Sequence, residues 1–171
     1  VDSLFLRART QSDLGDPARA AEMYRQVLAA SPNHQKATYN LGVLARRAGD
    51  FAQAERYLTQ AAAISSGRIK AKALHQLGLA HSGAGRWDQA VQYLTESVNL
   101  RPDAYRVWLD LGQAEWKRNR LDAAHAAFDK ALALNKRSGD AHLAMGLLEQ
   151  QRGNRAADDE VTADERVDGA P

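Results

Sequence analysis

Apolar and polar positions along this chain follow the period of an α-helix, in short segments that come in pairs. Leu41, Leu44 and Ala48 form one apolar stripe, and Ala54, Tyr57, Leu58 and Ala61 form a second. Spacings of three and four residues put each set on one face of a helix. Gly49-Asp50 separates the two stripes. Glycine at such a break predicts a helix ending in the left-handed conformation, which asparagine can also adopt where Asn119 stands instead. Pro17 suits the first turn of a following helix, where its missing N–H leaves no bond unmade. Long runs of Val, Ile and Thr are absent, so no strands are expected. One helix pair cannot bury both of its apolar faces, so further pairs must stack on it.

Those further pairs are present as an internal repeat. Gly15-Asp16 recurs as Gly49-Asp50, Gly85-Arg86, Asn119-Arg120 and Gly153-Asn154, at steps of 34, 36, 34 and 34 residues. Leu41-Gly42 recurs as Leu77-Gly78, Leu111-Gly112 and Met145-Gly146. Ala20, Ala54, Ala90 and Ala124 form a third series, and Val27, Ala61, Ser97 and Ala131 a fourth. Small residues at Gly42, Gly78, Gly112, Ala20 and Ala54 mark places where two helices approach closely. Pro32 and Pro102 close two units; Lys136 takes that place in the fourth.

The units are 1–34, 35–70, 71–104 and 105–138, with 139–152 as the first helix of a fifth. Two extra residues around Ser65-Ser66-Gly67-Arg68 read as a longer inter-helix loop. Arg7-Ala8 replaces the Leu-Gly pair in the first unit, which predicts looser packing or an edge there. In the fifth unit, Asp158, Thr162 and Glu165 fall where a second helix needs apolar residues. Residues 153–171 therefore read as an acidic, flexible or frayed tail.

In period and signature the chain resembles the tetratricopeptide repeat family, over about nine-tenths of its length. The resemblance implies an all-α, right-handed α-solenoid of helix-turn-helix repeats. It also implies a protein- or peptide-binding scaffold or adaptor rather than an enzyme. In that family the first helices line a concave groove. Carried over by position, the first repeat contributes Phe5 and Arg9, and the second Lys36, Tyr39, Asn40, Val43, Arg46 and Arg47. The third contributes Lys72, His75, Gln76, Leu79 and Ser82. The fourth contributes Arg106, Leu109, Asp110, Gln113, Trp116 and Lys117.

That lining mixes cations with aromatic and aliphatic groups, which suits an extended acidic peptide. One ligand mode known in the family is a clamp for a terminal carboxylate. The positions that would form it here hold Phe5, Arg9, Asn40, Lys72 and Gln76, of which only Asn40 and Lys72 match. Beginning one repeat later gives Tyr39, Val43, Gln76, Arg106 and Asp110, a poorer match.

Charge sharpens this picture. The net charge of +2 combines a basic body with a tail in which residues 156–171 hold six acids and one base. The tail is either solvated or docked in the basic groove of its own or a neighbouring molecule. The terminal helix, residues 141–151, spreads Leu143, Met145, Leu147 and Leu148 around much of its surface, a second route to self-association.

Candidate chemistry is sparse. Absence of cysteine excludes disulfides and thiolate metal sites. No phosphate loop, metalloprotease helix or nucleophile elbow is present. His34, His75, His81, His125 and His142 are scattered and read as surface or groove residues. No catalytic residue, metal or cofactor is expected. A non-catalytic arm of a larger enzyme or of a secretion or assembly machine is the second reading. RNA binding fits less well, since RNA-reading helical repeats have a 35-residue period rather than this signature. No apolar run approaches the length of a bilayer span. The default location is cytoplasmic, or periplasmic or membrane-tethered if a segment upstream of Val1 was removed.

Overall fold

The computed structural model describes the backbone of residues 1–168 and the side chains of residues 1–156. These residues form α-helices and short connections. The chain divides into two compact units, Val1–Asp103 and Ala104–Pro171.

The first unit holds α1 (Asp2–Asp13), α2 (Pro17–Ala30), α3 (Gln35–Arg47), α4 (Phe51–Ile64), α5 (Gly67–Gly83) and α6 (Trp87–Leu100). Each first helix packs on the second helix of its own pair, and each second helix on the next first helix. α3 also lies against α5. The second unit holds α7 (Tyr105–Lys117), α8 (Leu121–Leu134) and α9 (Gly139–Asp168), with α9 packed on α8 and α7.

The Gly-Asp dipeptides do two jobs. Gly15, Gly49 and Gly85 have φ of +84°, +79° and +71°, and Asn119 adopts +59° in the same role. Asp16 Oδ1 accepts from the Arg19 N–H at 3.0 Å, and Asp50 Oδ1 from the Gln53 N–H at 2.9 Å. The glycine ends one helix and the aspartate caps the next.

Within a pair, a small residue of the first helix meets a large one of the second. A Cβ placed on Gly42 would stand 2.5 Å from Leu58 Cγ, and one on Gly78 the same distance from Leu94 Cγ. On Gly112 it would collide with the Phe128 ring. In the first pair Ala8 takes this position and is fully buried in one cluster with Phe5 and Tyr24. The looser packing expected from Arg7-Ala8 is not found at Ala8, because a methyl group suffices there.

Two expectations are corrected. The extra residues of the second unit do not lengthen a loop: only Ser65 and Ser66 separate α4 from α5, which gains the length as a 17-residue helix. Arg68, Lys70 and Ala71 favour helix, and Ile69 is half-buried there. The terminal helix also does not end at residue 152. Helix α9 continues to Asp168, and Gly153 is not among the positive-φ glycines. Arg152 holds this stretch through Asp122 at 3.0 Å and Glu149 at 3.2 Å. The expectation about Asp158, Thr162 and Glu165 falls outside the described side chains.

His81 is not a surface residue: it is only 2% exposed. Its imidazole stacks on Tyr93 of α6, with ring centroids 5.1 Å apart. Its Nε2 lies 3.7 Å from Glu55 Oε1 of α4, and that carboxylate is also held by Arg86, ahead of α6, at 2.9 Å. Burial holds the His81 pKa below the ordinary histidine value, Arg86 pushes the same way, and Glu55 opposes them. The neutral ring thus favours the fold above the unfolded-state pKa, about 6.5. That contribution disappears as pH falls through the lower folded-state value. His81→Phe keeps the stack and removes the titration. Urea midpoints measured from neutral to acid pH are expected to fall less steeply for this variant than for the native chain. Parallel slopes would show that His81 does not contribute.

Candidate interaction face on the first helices

The groove candidates fall on both units. On the first unit the candidate face is built by α3 and α5. Their contact is bridged by Arg46, whose Nε donates to Gln76 Oε1 at 2.8 Å. Tyr39 is half-buried against the core beside this pair. Burial pushes its phenol above the ordinary range, while the nearby Arg46 and Arg47 cations pull it back. A phenol, two guanidiniums and an amide therefore gather at one place. Val43, His75 and Leu79 are half-buried, and Lys36, Arg47 and Lys72 are exposed.

The charge on these helices is one-sided. α3 carries Lys36, Arg46 and Arg47, and α5 carries Arg68, Lys70 and Lys72; neither contains a carboxylate. The acids on the other helices of the first unit are Asp2 and Asp13 on α1, Glu22 on α2, Glu55 on α4, and Asp88 and Glu96 on α6. A surface of one sign attracts ligands of the other and raises their association rate.

Several candidates serve the fold instead. Phe5 is 9% exposed, packed against Tyr24 and His34 with centroids 5.7 and 5.0 Å away. Asn40 is half-buried, and its Nδ2 donates to Tyr24 Oη at 2.9 Å. Arg9 is exposed and lies 3.9 Å from Asp13 on its own helix. Sequence reasoning missed His34, whose Nδ1 caps α3 by accepting from the Ala37 N–H at 3.1 Å. Its position just before a helix was the available signal.

On the second unit the corresponding face has mixed charge. Arg106 and Lys117 are exposed, but α7 also carries Asp110 and Glu115, and Glu115 pairs with Arg118 at 3.1 Å. Leu109 is a core residue at 7% exposure. The Trp116 indole donates to Gln151 of α9 and meets the Phe128 ring edge-on at 6.4 Å. Gln113 is exposed. A cleft of about 570 Å³ lies beside the start of α8, with Arg120, Arg152 and Arg155 in its lining. Arg152 there is already matched by Asp122 and Glu149.

Among the described residues, no cluster of three His, Cys, Asp or Glu could hold a metal ion, and no helix is long and apolar enough to cross a membrane.

Solved structures share this fold. MamA aligns with TM-score 0.79 at 22% identity, covering 87% of this chain and 86% of that one. MamA (residues 41 to the end) from Desulfovibrio magneticus RS-1 gives 0.73 at 24% identity, over 81% of this chain and 77% of that one. YrrB, described as a TPR protein with an unusual peptide-binding site, gives 0.74 at 18% identity, over 89% and 77%. No curated protein matches the chain in sequence. Tetratricopeptide repeat family models match residues 2–34, 35–103, and 75–138 with 109–161. With nearly its whole described length matched and its helices paired as above, the chain belongs to the tetratricopeptide repeat family.

Proposed function

We propose that this protein is an interaction scaffold whose α3–α5 face holds an extended acidic segment of a partner protein. The observation that carries this reading is the pairing of two adjacent helices with six cations and no carboxylate. Tyr39, Val43 and Leu79 place apolar surface among those charges. Aromatic and aliphatic contacts anchor a bound segment, while Arg and Lys select its carboxylates. YrrB offers a precedent in fold for peptide binding. Neither α3–α5 nor α7 offers a catalytic constellation, so the face acts by binding. The carboxylate clamp is not favoured: its Asn40 position is bonded to Tyr24 and its Phe5 position is in the core.

A labelled glutamate peptide tests the reading by fluorescence anisotropy. It is expected to bind the native chain and weaken as salt rises, because the Debye length shrinks to roughly 3 Å at 1 M. Arg47→Glu combined with Lys72→Glu should reduce affinity by about 10- to 100-fold, as expected when two exposed contacts of roughly 1 kcal/mol each give way to like-charge repulsion. Equal affinity in this variant would sink the assignment to α3–α5. Tighter binding of single-stranded RNA, with a steep salt slope, would replace the peptide with a phosphate backbone.

A further inference from the structure

Three features are left over by the scaffold reading: the arginine-lined cleft at α8, the open apolar side of α9, and the acidic C-terminal run. The run has a complementary surface on this same chain. We propose that the α3–α5 face of one molecule takes the acidic C-terminal segment, residues 156–171, of a second copy. This rests on the acidic-ligand reading and names the ligand, as a segment that is helical to Asp168 rather than extended.

The charges match in sign and in crowding. The segment holds Asp158, Asp159, Glu160, Asp164, Glu165 and Asp168 against one cation, Arg166. The two helices of the face carry Lys36, Arg46, Arg47, Arg68, Lys70 and Lys72 and no carboxylate. Each is a concentration of one sign that its own element does not neutralise, and bringing them together relieves both self-repulsions.

The backbone of α9 decides where the segment can go. In a complete repeat, residues after Gly153 would turn and pack back on residues 139–152. Here the helix runs unbroken from Gly139 to Asp168. Among the described residues nothing lies within 4 Å of a Cβ built on Gly146, the position whose counterparts meet Leu58, Leu94 and Phe128. A continuous helix cannot fold back on its own first half, so the acidic run does not complete the fifth repeat and is available as a ligand. Association of this kind puts face and segment on different copies, so it can close by reciprocal exchange or as a ring, or propagate, according to the rotation between copies.

The test uses the full chain in three forms. In the first variant the segment is neutralised by Asp158→Asn, Asp159→Asn, Glu160→Gln, Asp164→Asn and Glu165→Gln. In the second the face is reversed by Arg47→Glu and Lys72→Glu. Sedimentation velocity should show the native chain above monomer mass at low salt and near it at high salt, and each variant monomeric at both. Mixing the two variants should restore association, because one keeps the face and the other keeps the segment. A neutralised variant that sediments like the native chain overturns the proposal, as does a native chain that is monomeric throughout. The glutamate peptide separates the two levels. If it binds while the neutralised variant sediments like the native chain, the acidic-ligand reading survives and the second copy does not. If it fails to bind even the neutralised variant, whose face has no competing segment, both fall.

Discussion

Phe128→Ala is expected to lower the unfolding free energy of the second unit by about 3–5 kcal/mol, the range for removing a buried phenylalanine. Phe128 is fully buried on α8. Its ring fills the space over Gly112, where a Cβ would stand 2.5 Å from Phe128 Cδ1, and it receives the Trp116 ring edge-on. It shares one cluster with Leu109 and Leu121 and with Ala141, Ala144 and Leu148 of α9. The site can collapse only poorly, because Gly112 has no side chain to move into the void. Unfolding free energies of whole domains are about 5–15 kcal/mol, so the loss is comparable to what so small a unit possesses. Trp108 and Trp116 lie on α7 and Trp87 on α6 of the first unit, so urea unfolding followed by tryptophan fluorescence in a Trp87→Phe background reports on the second unit. The midpoint should move to markedly lower urea, with earlier exposure of the indoles. A midpoint within error of the native chain would mean that α8 is not held by the Phe128–Gly112 contact.

Much of this packing was legible in the sequence because the residues that make it have few alternatives. A glycine followed by aspartate between two apolar stripes can end one helix and cap the next, and Asp16 and Asp50 do so. What was not legible depended on the rest of the molecule. Two extra residues near Ser65 read as loop when compared with neighbouring repeats. Locally, Arg68, Ile69, Lys70 and Ala71 are compatible with helix, and the half-buried Ile69 gives that helix something to pack. Gly153 stood at the register of a turn, but a turn is stabilised by the helix that packs after it. With polar residues following, helix continuation meets only glycine's modest penalty of about 1 kcal/mol.

The candidate face shows the same division. Repeat position indicates the direction in which a side chain leaves its helix, but not how deeply its neighbours cover it. Phe5 and Leu109 were assigned to the lining by position and lie in the core, one over Tyr24 and the other in the cluster of α8 and α9. The basic character of α3 and α5 survives because it rests on composition: no acid occurs in either helix, whatever the depth of its side chains. His34 and His81 show the limit for polar groups. One caps the helix that follows it, a local contact, while the other is buried against Tyr93, twelve residues away on the next helix.

Gly78→Ala and Gly146→Ala, the same substitution at equivalent repeat positions, are expected to change stability in opposite directions. Alanine is favoured over glycine inside a helix by about 0.5–1 kcal/mol, and both positions gain that. At Gly78 the new methyl would stand 2.5 and 2.7 Å from Leu94 Cγ and Cδ2, with the Ala90 carbonyl oxygen at 3.3 Å. Leu94 is fully buried, so its branch point cannot swing into solvent. Overpacking of this kind typically costs about 1–3 kcal/mol, which outweighs the helix gain and leaves a net loss. At Gly146 nothing among the described residues lies within 4 Å, so the helix gain stands alone. Chemical denaturation of the two variants beside the native chain should place their midpoints on opposite sides of it. If both stabilised the protein, α5 and α6 could separate without penalty, and glycine at this position would not be explained by helix contact. If both destabilised it, the open side of α9 would already be covered by another molecule, and the mass of the native chain in solution would have to exceed that of one copy.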